Sequence, residues 1–225
     1  IEEFNNYLIK GSKIKVLVNS SDYCDEIHQL DDAANNLEIE TFIGETYSRE
    51  VLDKYIDDQF KYIIIFANEN VPDDDKDSET LLTLLHLRDM EEAKKTKFDI
   101  ITEIADVRNS EIVDLAKVDD FIISELMANK MLAQISENRY LIDIFNHLLS
   151  EEGSELYLKP ASQYVVMNQP VDFYTVSQSA VLKNEIAIGY KLLNQNGLPD
   201  IVLNPTKSDL ITFRPGDSII VISED

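Results

Sequence analysis

Lys61-Tyr62-Ile63-Ile64-Ile65-Phe66-Ala67 opens the stretch on which the fold turns, and Phe98-Asp99-Ile100-Ile101-Thr102-Glu103-Ile104-Ala105-Asp106 closes it. Both runs are short, rich in Ile and Phe and bounded by polar residues, so they are expected to be strands buried on both faces. Between them come an acidic loop, Asn68 to Asp77 with the run Asp73-Asp74-Asp75, and a helix from Ser78 to Lys95. That helix carries Leu81, Leu82, Leu84, Leu85, Leu87 and Met90 at helical spacing. Strand, crossover helix and strand make a parallel βαβ unit. In such sheets ligands sit beyond the carboxyl ends of the strands, and the acidic loop leaves one of those ends.

The same alternation continues on either side. Upstream, Ile1, Phe4, Leu8 and Ile9 share one helical face that stops at Gly11. Lys13 to Asn19 is a strand, Ser20, Ser21 and Asp22 are N-cap candidates for a polar helix to about Ala34, and Glu38 to Gly44 is the next strand. Ser48 caps a short helix with Val51, Leu52, Tyr55 and Ile56 inward. Downstream, Arg108 to Lys117 is a helix and Asp120 to Ser124 a strand. Residues 1–125 therefore predict a Rossmann-like lobe with a mostly parallel sheet in an α/β fold. A doubly wound sheet starts with a strand, whereas this chain starts with a helix. A strand is expected ahead of Ile1; without it, a partner segment or a rearranged strand order has to close a central gap. The opening at Ile rather than Met adds the expectation that the chain is a fragment.

Residues 126–152 form a helix pair with a break at Ser136-Glu137-Asn138-Arg139. Leu126, Met127, Met131, Leu132 and Ile135, then Leu141, Ile142, Ile144, Phe145, Leu148 and Leu149, are more apolar surface than an exposed pair needs. The surplus is buried either within the chain or against another subunit. Residues 153–225 read as a small β-rich lobe. Its strands are placed at Glu155 to Lys159, Phe173 to Val181, Glu185 to Leu193, Ile201 to Leu203 and Ser218 to Ser223, with turns at Asn168-Gln169-Pro170, Asn196-Gly197, Asn204-Pro205 and Pro215-Gly216-Asp217.

The chain has 225 residues and a formal net charge of −23, a field that repels nucleic acid and anionic lipid and attracts cations. Cys24 is the sole cysteine, which excludes an internal disulfide and a thiolate zinc cluster and suits a reducing, intracellular setting. No stretch approaches the length of a membrane span, and no signal peptide is visible. The six glycines are not grouped into a dinucleotide fingerprint, and Asn19 stands where a ribose-binding acid would end the second strand of that fold. His28, His86 and His147 are isolated, and no nucleophile elbow or phosphate loop occurs. A nucleotide-dependent oxidoreductase would need its glycine turn upstream of Ile1, so no enzyme is the favoured reading. A divalent cation, calcium above all, could be held by Asp73, Asp74, Asp75 and Asp77 with Glu103 and Asp106; the alternative is a solvated acidic loop.

Several stretches together resemble a known family. They are Asp77-Ser78-Glu79-Thr80 entering Leu81 to Asp89, Ile101 to Asn109, Phe121 to Ala128, Leu148 to Pro160, Asn184 to Tyr190, Leu203-Asn204-Pro205 and Gly216-Asp217. In order and spacing they are similar to the cytosolic regulator-of-potassium-conductance (RCK) region of the CASTOR and POLLUX ion channels and their bacterial relatives, in particular to its second module. The match runs from about Phe4 to Glu224. The resemblance implies a Rossmann-like N-lobe, a crossover helix pair that dimerises, and a β-rich C-lobe. It also implies a tetrameric gating ring beneath a pore at the cytoplasmic face of the cell membrane, with the upstream module and the pore domain as partners. Leu126, Met127, Met131, Ile135, Leu141, Ile144, Phe145 and Leu148 would form the helical interface. Some calcium-gated members place carboxylates at the strand ends marked here by Ala67 and Glu103. Glu103 matches, while Ala67 and Ala105 stand where two of the acids would be, so a site here would shift onto Asp73 to Asp77. A soluble ligand-sensing subunit of a potassium transporter is the third reading.

Overall fold

Parallel strands dominate the first part of the chain and antiparallel strands the second, in a computed structural model that describes residues 1–31, 36–68, 70–109, 120–150, 153–194 and 198–224. The chain divides into two compact units, Ile1–Glu137 and Asn138–Asp225.

The first unit runs α1 (Glu2–Tyr7), β1 (Ser12–Val18), α2 (Ser21–Asp31), β2 (Leu37–Ile43), α3 (Arg49–Tyr55), β3 (Tyr62–Ile65), α4 (Asp73–Lys94), β4 (Asp99–Ile104), a 3-10 turn (Val107–Asn109), β5 (Asp120–Ile123) and α5 (Ser124–Glu137). The βαβ expectation holds: β3 and β4 pair in parallel, Tyr62 against Asp99, and β4 pairs in parallel with β5. β1 and β2 also pair in parallel, Ser12 against Leu37, but as a separate two-stranded sheet. The mostly parallel α/β lobe is therefore present, divided into two half-sheets.

One core serves both. Leu84, Leu87 and Met90 of α4, spaced to fall on one helical face, are fully buried with Phe98 and Ile100. Leu52 of α3 and Ile65 complete the cluster, and Leu17 of β1 and Ile63 of β3 pack against it. Each fully buried aliphatic side chain contributes about 1.5–3 kcal/mol relative to exposure.

Several expectations need correction. β3 is covered on one face only: Ile65 is buried, whereas Tyr62 and Ile64, on the opposite face, are exposed, as is Phe66 beyond the strand. Helices α3 and α4 pack on a single side of it. Leu82 and Leu85 likewise point out of the α4 core face. The acidic loop is shorter than expected, because α4 begins at Asp73 and so absorbs Asp73, Asp74 and Asp75 into its first turn. Carboxylates there are favoured by the helix dipole, and the residue ahead of them is Pro72. The opening helix ends at Tyr7 with Leu8 extended, which leaves Ile9 exposed, and Gly11 at φ +87° turns the chain into β1. The helix expected over Arg108 to Lys117 lies outside the described residues beyond the 3-10 turn.

The second unit contains α6 (Leu141–Leu148), β6 (Glu155–Pro160), a 3-10 turn (Ala161–Gln163), β7 (Pro170–Asp172), α7 (Phe173–Val181), β8 (Ile186–Leu193), β9 (Pro199–Leu203), β10 (Leu210–Thr212) and β11 (Ser218–Ser223). Four strands form an antiparallel sheet in the order β6-β11-β8-β9, and β7 pairs with β10. Phe173 to Val181, expected as a strand, is a helix. Asp172 caps it by accepting the Thr175 N–H at 2.9 Å, and Phe173, Val176 and Ala180 bury one face against Phe213, Ile219 and Val221.

Candidate functional site

Carboxylates fasten the carboxyl edge of the β3-β4-β5 sheet. Asp77, on the second turn of α4, is 2% exposed. Its Oδ1 accepts the Ala105 N–H at 2.8 Å, and its Oδ2 accepts the Asp106 N–H at 3.0 Å and an Asn109 Nδ2–H at 2.6 Å. A buried carboxylate that receives several N–H donors is satisfied, and it fixes the loop leaving β4. Glu103, near the end of β4, accepts the Ala67 N–H through Oε2 at 3.2 Å and the Ser124 hydroxyl through Oε1 at 2.5 Å. Ala67 follows β3 and Ser124 follows β5, so this side chain ties the ends of three strands together.

The loop after β3 is held in turn. Asn68 donates from Nδ2 to Glu79 Oε2 at 2.8 Å and accepts the Asn70 N–H at 3.0 Å, while the Asn70 amide donates to the Tyr23 hydroxyl of α2. Asp106 accepts the Arg108 N–H at 2.8 Å and its Nε–H at 2.6 Å. The Arg108 guanidinium and N–H together hold the Asp106 carboxyl below its ordinary range.

Of the six acids expected at a cation site, Asp77, Glu103 and Asp106 thus meet at this edge with their oxygens engaged by N–H and O–H donors. Asp73, Asp74 and Asp75 follow one another on the first turn of α4, and their side chains lie outside the described residues. Among the described residues, no group of three or more His, Cys, Asp or Glu is placed to hold a metal ion. Ser124, Asn109 and Asn68 escaped the sequence reading. Asn109 closes the stretch Ile101 to Asn109 that carried the family resemblance, and that was the one signal available for it. The chemistry this edge supports is mechanical: a displacement of either loop must break a charge-assisted hydrogen bond to Asp77 or Glu103.

The expected interface residues fall on α5 and α6. Leu126, Met127, Met131 and Ile135 lie on α5, and Leu141, Ile144, Phe145 and Leu148 on α6. Leu126 packs against Ile104 and Ile123. Neither helix has a single buried residue; Met127 is 52% and Ile144 50% exposed. Among the described residues, no helix is long and apolar enough to cross a membrane.

No family model matches the chain. It is similar to the ion channel CASTOR of Lotus japonicus, at 28% identity over 80% of this chain and 24% of that one. It is similar to the same degree to the probable ion channel POLLUX of Arabidopsis thaliana, at 28% identity over 80% of this chain and 25% of that one. The chain thus spans about a quarter of the length of these curated relatives. Among solved structures, the human SLO3 gating ring superposes with a TM-score of 0.65 at 16% identity, covering 95% of this chain and 40% of that chain. The resemblance read from the sequence is borne out: the chain is similar to the CASTOR and POLLUX ion channels over most of its length, and its fold is shared with the SLO3 gating ring.

Proposed function

We propose that the chain is the regulatory, gating-ring module of a CASTOR/POLLUX-like cation channel, working at the cytoplasmic face of a membrane and without enzymatic activity. The observation that carries the reading is the kinship with CASTOR and POLLUX along most of the chain, on a fold shared with the SLO3 gating ring. In this reading residues 1–125 sense, residues 126–152 assemble and residues 153–225 form the C-lobe. Self-association runs through Leu126, Met127, Met131 and Ile135 of α5 and Leu141, Ile144, Phe145 and Leu148 of α6. The absence of any buried residue on these helices supports it. Helix faces this apolar lower the free energy of the chain when another copy covers them. Within the parent, an upstream module and a pore domain complete the assembly, and a ligand acts by preferring one conformation of the ring.

Calcium is the ligand proposed, at the acidic start of α4. The charge of −23 supports it by concentrating divalent cations around the chain. Asp77, Glu103 and Asp106 would have to exchange N–H and O–H donors for the ion, so Asp73, Asp74 and Asp75 carry the larger share.

Sedimentation velocity over a range of protein concentrations, without added cation and with calcium chloride, tests both parts. The expected result is a self-associating chain whose association shifts with calcium, and a weaker association for Met127→Glu combined with Ile144→Glu. A monomer under every condition would overturn the assembly. An associating chain indifferent to calcium would remove the ion and leave the assembly standing.

A further inference from the structure

The antiparallel sheet of the second unit ends on β9, and among the described residues no strand pairs with the far side of it. β9 runs antiparallel to β8, with Leu203 against Gly189 and Pro199 against Leu193. That ladder fixes which groups the far side presents. Asn204 donates its N–H to Ile188 O at 2.8 Å, and Asn194 donates to Leu198 O at 2.9 Å. Leu198, Asp200, Val202 and Asn204 therefore address β8 with their main-chain groups, because hydrogen-bonded pairs alternate along an antiparallel ladder. Ile201 and Leu203 point their N–H and C=O groups outward, while Pro199 has only a C=O to offer there.

The side chains sort by the same alternation. Ile201 and Leu203 share one face of the sheet, 57% and 61% exposed, and Asp200 and Val202 share the other. Asp200 is exposed near the start of the strand. Just past its end, Lys207 Nζ donates to Asn204 Oδ1 at 2.9 Å and to Pro205 O at 3.1 Å. β9 thus carries a carboxylate at one end and an ammonium beyond the other. Charge or proline within an edge strand commonly blocks its pairing, whereas here Pro199 and Pro205 flank the outward-facing pair Ile201 and Leu203 and leave it clear.

We propose that β9 is a self-association edge, pairing antiparallel with β9 of a second copy about a two-fold axis at Val202. In that register Ile201 of one copy exchanges N–H and C=O hydrogen bonds with Leu203 of the other, and Val202 faces its own counterpart. Asp200 comes opposite Asn204 of the second copy, and so toward the Lys207 ammonium that Asn204 holds. Pro199 and Pro205 fall opposite one another, outside the hydrogen-bonded pairs, so no donor is missing from them. The register centred on Ile201 instead sets Leu203 against Pro199, where the absent N–H loses a bond on each side of the axis, and sets Asp200 against Val202. The charges and the prolines of β9 therefore suit a reversed copy of β9 itself. Cross-strand contact of Ile201 with Leu203 covers apolar surface that each copy alone leaves exposed. A two-fold contact closes on itself and yields a dimer, not a filament. This edge is separate from the α5 and α6 surfaces of the proposed assembly and requires neither.

Cross-linking reads the register. Val202→Cys and, as its control, Ile201→Cys are each made in a Cys24→Ser background and oxidised at the same protein concentration. Directly opposed residues of a non-hydrogen-bonded pair lie within disulfide reach, so Val202→Cys is expected to form dimers about tenfold or more faster than Ile201→Cys. The same preference is expected after adding Met127→Glu and Ile144→Glu, which separates the edge from helix assembly. Ile201→Pro removes an N–H that β8 does not use, and should slow the Val202→Cys cross-link by about tenfold with the melting temperature unchanged. Equal rates for the two cysteines, or a Val202→Cys cross-link indifferent to Ile201→Pro, would overturn the proposal. Loss of the cross-link in the Met127→Glu, Ile144→Glu background would overturn it too, because the edges would then meet only where the helices bring them.

Discussion

Glu185 is a charged side chain in an apolar place: it is 8% exposed just ahead of β8, with Lys159 Nζ at 2.8 Å from Oε1 and the Tyr164 hydroxyl donating to Oε2 at 2.5 Å. Burial alone would raise its pKa, but the Lys159 ammonium and the Tyr164 hydroxyl outweigh that and hold it below its ordinary value near 4.5. Burial, and then the Glu185 charge, push the Tyr164 hydroxyl up. A carboxylate lowered in the folded state adds stability above its unfolded pKa and loses that contribution as pH falls through its folded value. Glu185→Gln should therefore destabilise the chain by about 1–3 kcal/mol near neutral pH, with the deficit shrinking at about pH 3. Urea midpoints of both proteins at the two pH values check this, and an equal deficit at both would show that the Lys159–Glu185 pair is not the cause. None of this was legible in the sequence, where Glu185 is one acid among 43 acidic residues. Asp77 is a similar case. Its spacing from the Asp73 run suggested a shared ligand set, while its actual partners come from a loop 28 or more residues later.

The reading failed at α7 for an identifiable reason. Phe173-Tyr174-Thr175-Val176 is aromatic and β-branched, a composition that favours strands, and tertiary packing overrode it. The overlooked signals were an Asp172/Thr175 cap and apolar positions at 173, 176 and 180, which fit a helical period and no strand. Asp172→Ala should lower the melting temperature by roughly a few degrees, and Asp172→Asn by less, because an amide oxygen still accepts the Thr175 N–H. A melting temperature unmoved by the Ala change would mean that burial of Phe173, Val176 and Ala180 holds the helix without its cap. At α4 the start lies at Asp73 rather than Ser78: Pro72 ahead of three acids is a helix-start signal that an acidic-loop reading passes over.

At the level of the molecule, the strand–helix alternation made the parallel lobe readable, because each strand is a short apolar run and each helix has its own period. The pairing partners were not readable, since hydrogen-bonding edges leave no mark on composition. The division of the parallel strands into two half-sheets bears on how the first unit loses its structure. Within it, β1 and β2 are coupled by a ladder, and so are β3, β4 and β5, whereas among the described residues no ladder crosses the seam and side chains such as Leu17 and Lys15 make the contact. Hydrogen-bonded ladders break together, whereas a side-chain seam can part with each ladder intact. The unit is therefore expected to melt in two steps, with the smaller β1–β2 half leaving first. Fluorotyrosine resonances of Tyr23 on α2 and Tyr62 on β3 would report this as separate urea midpoints; coincident midpoints would show that the shared core binds the halves into one cooperative body.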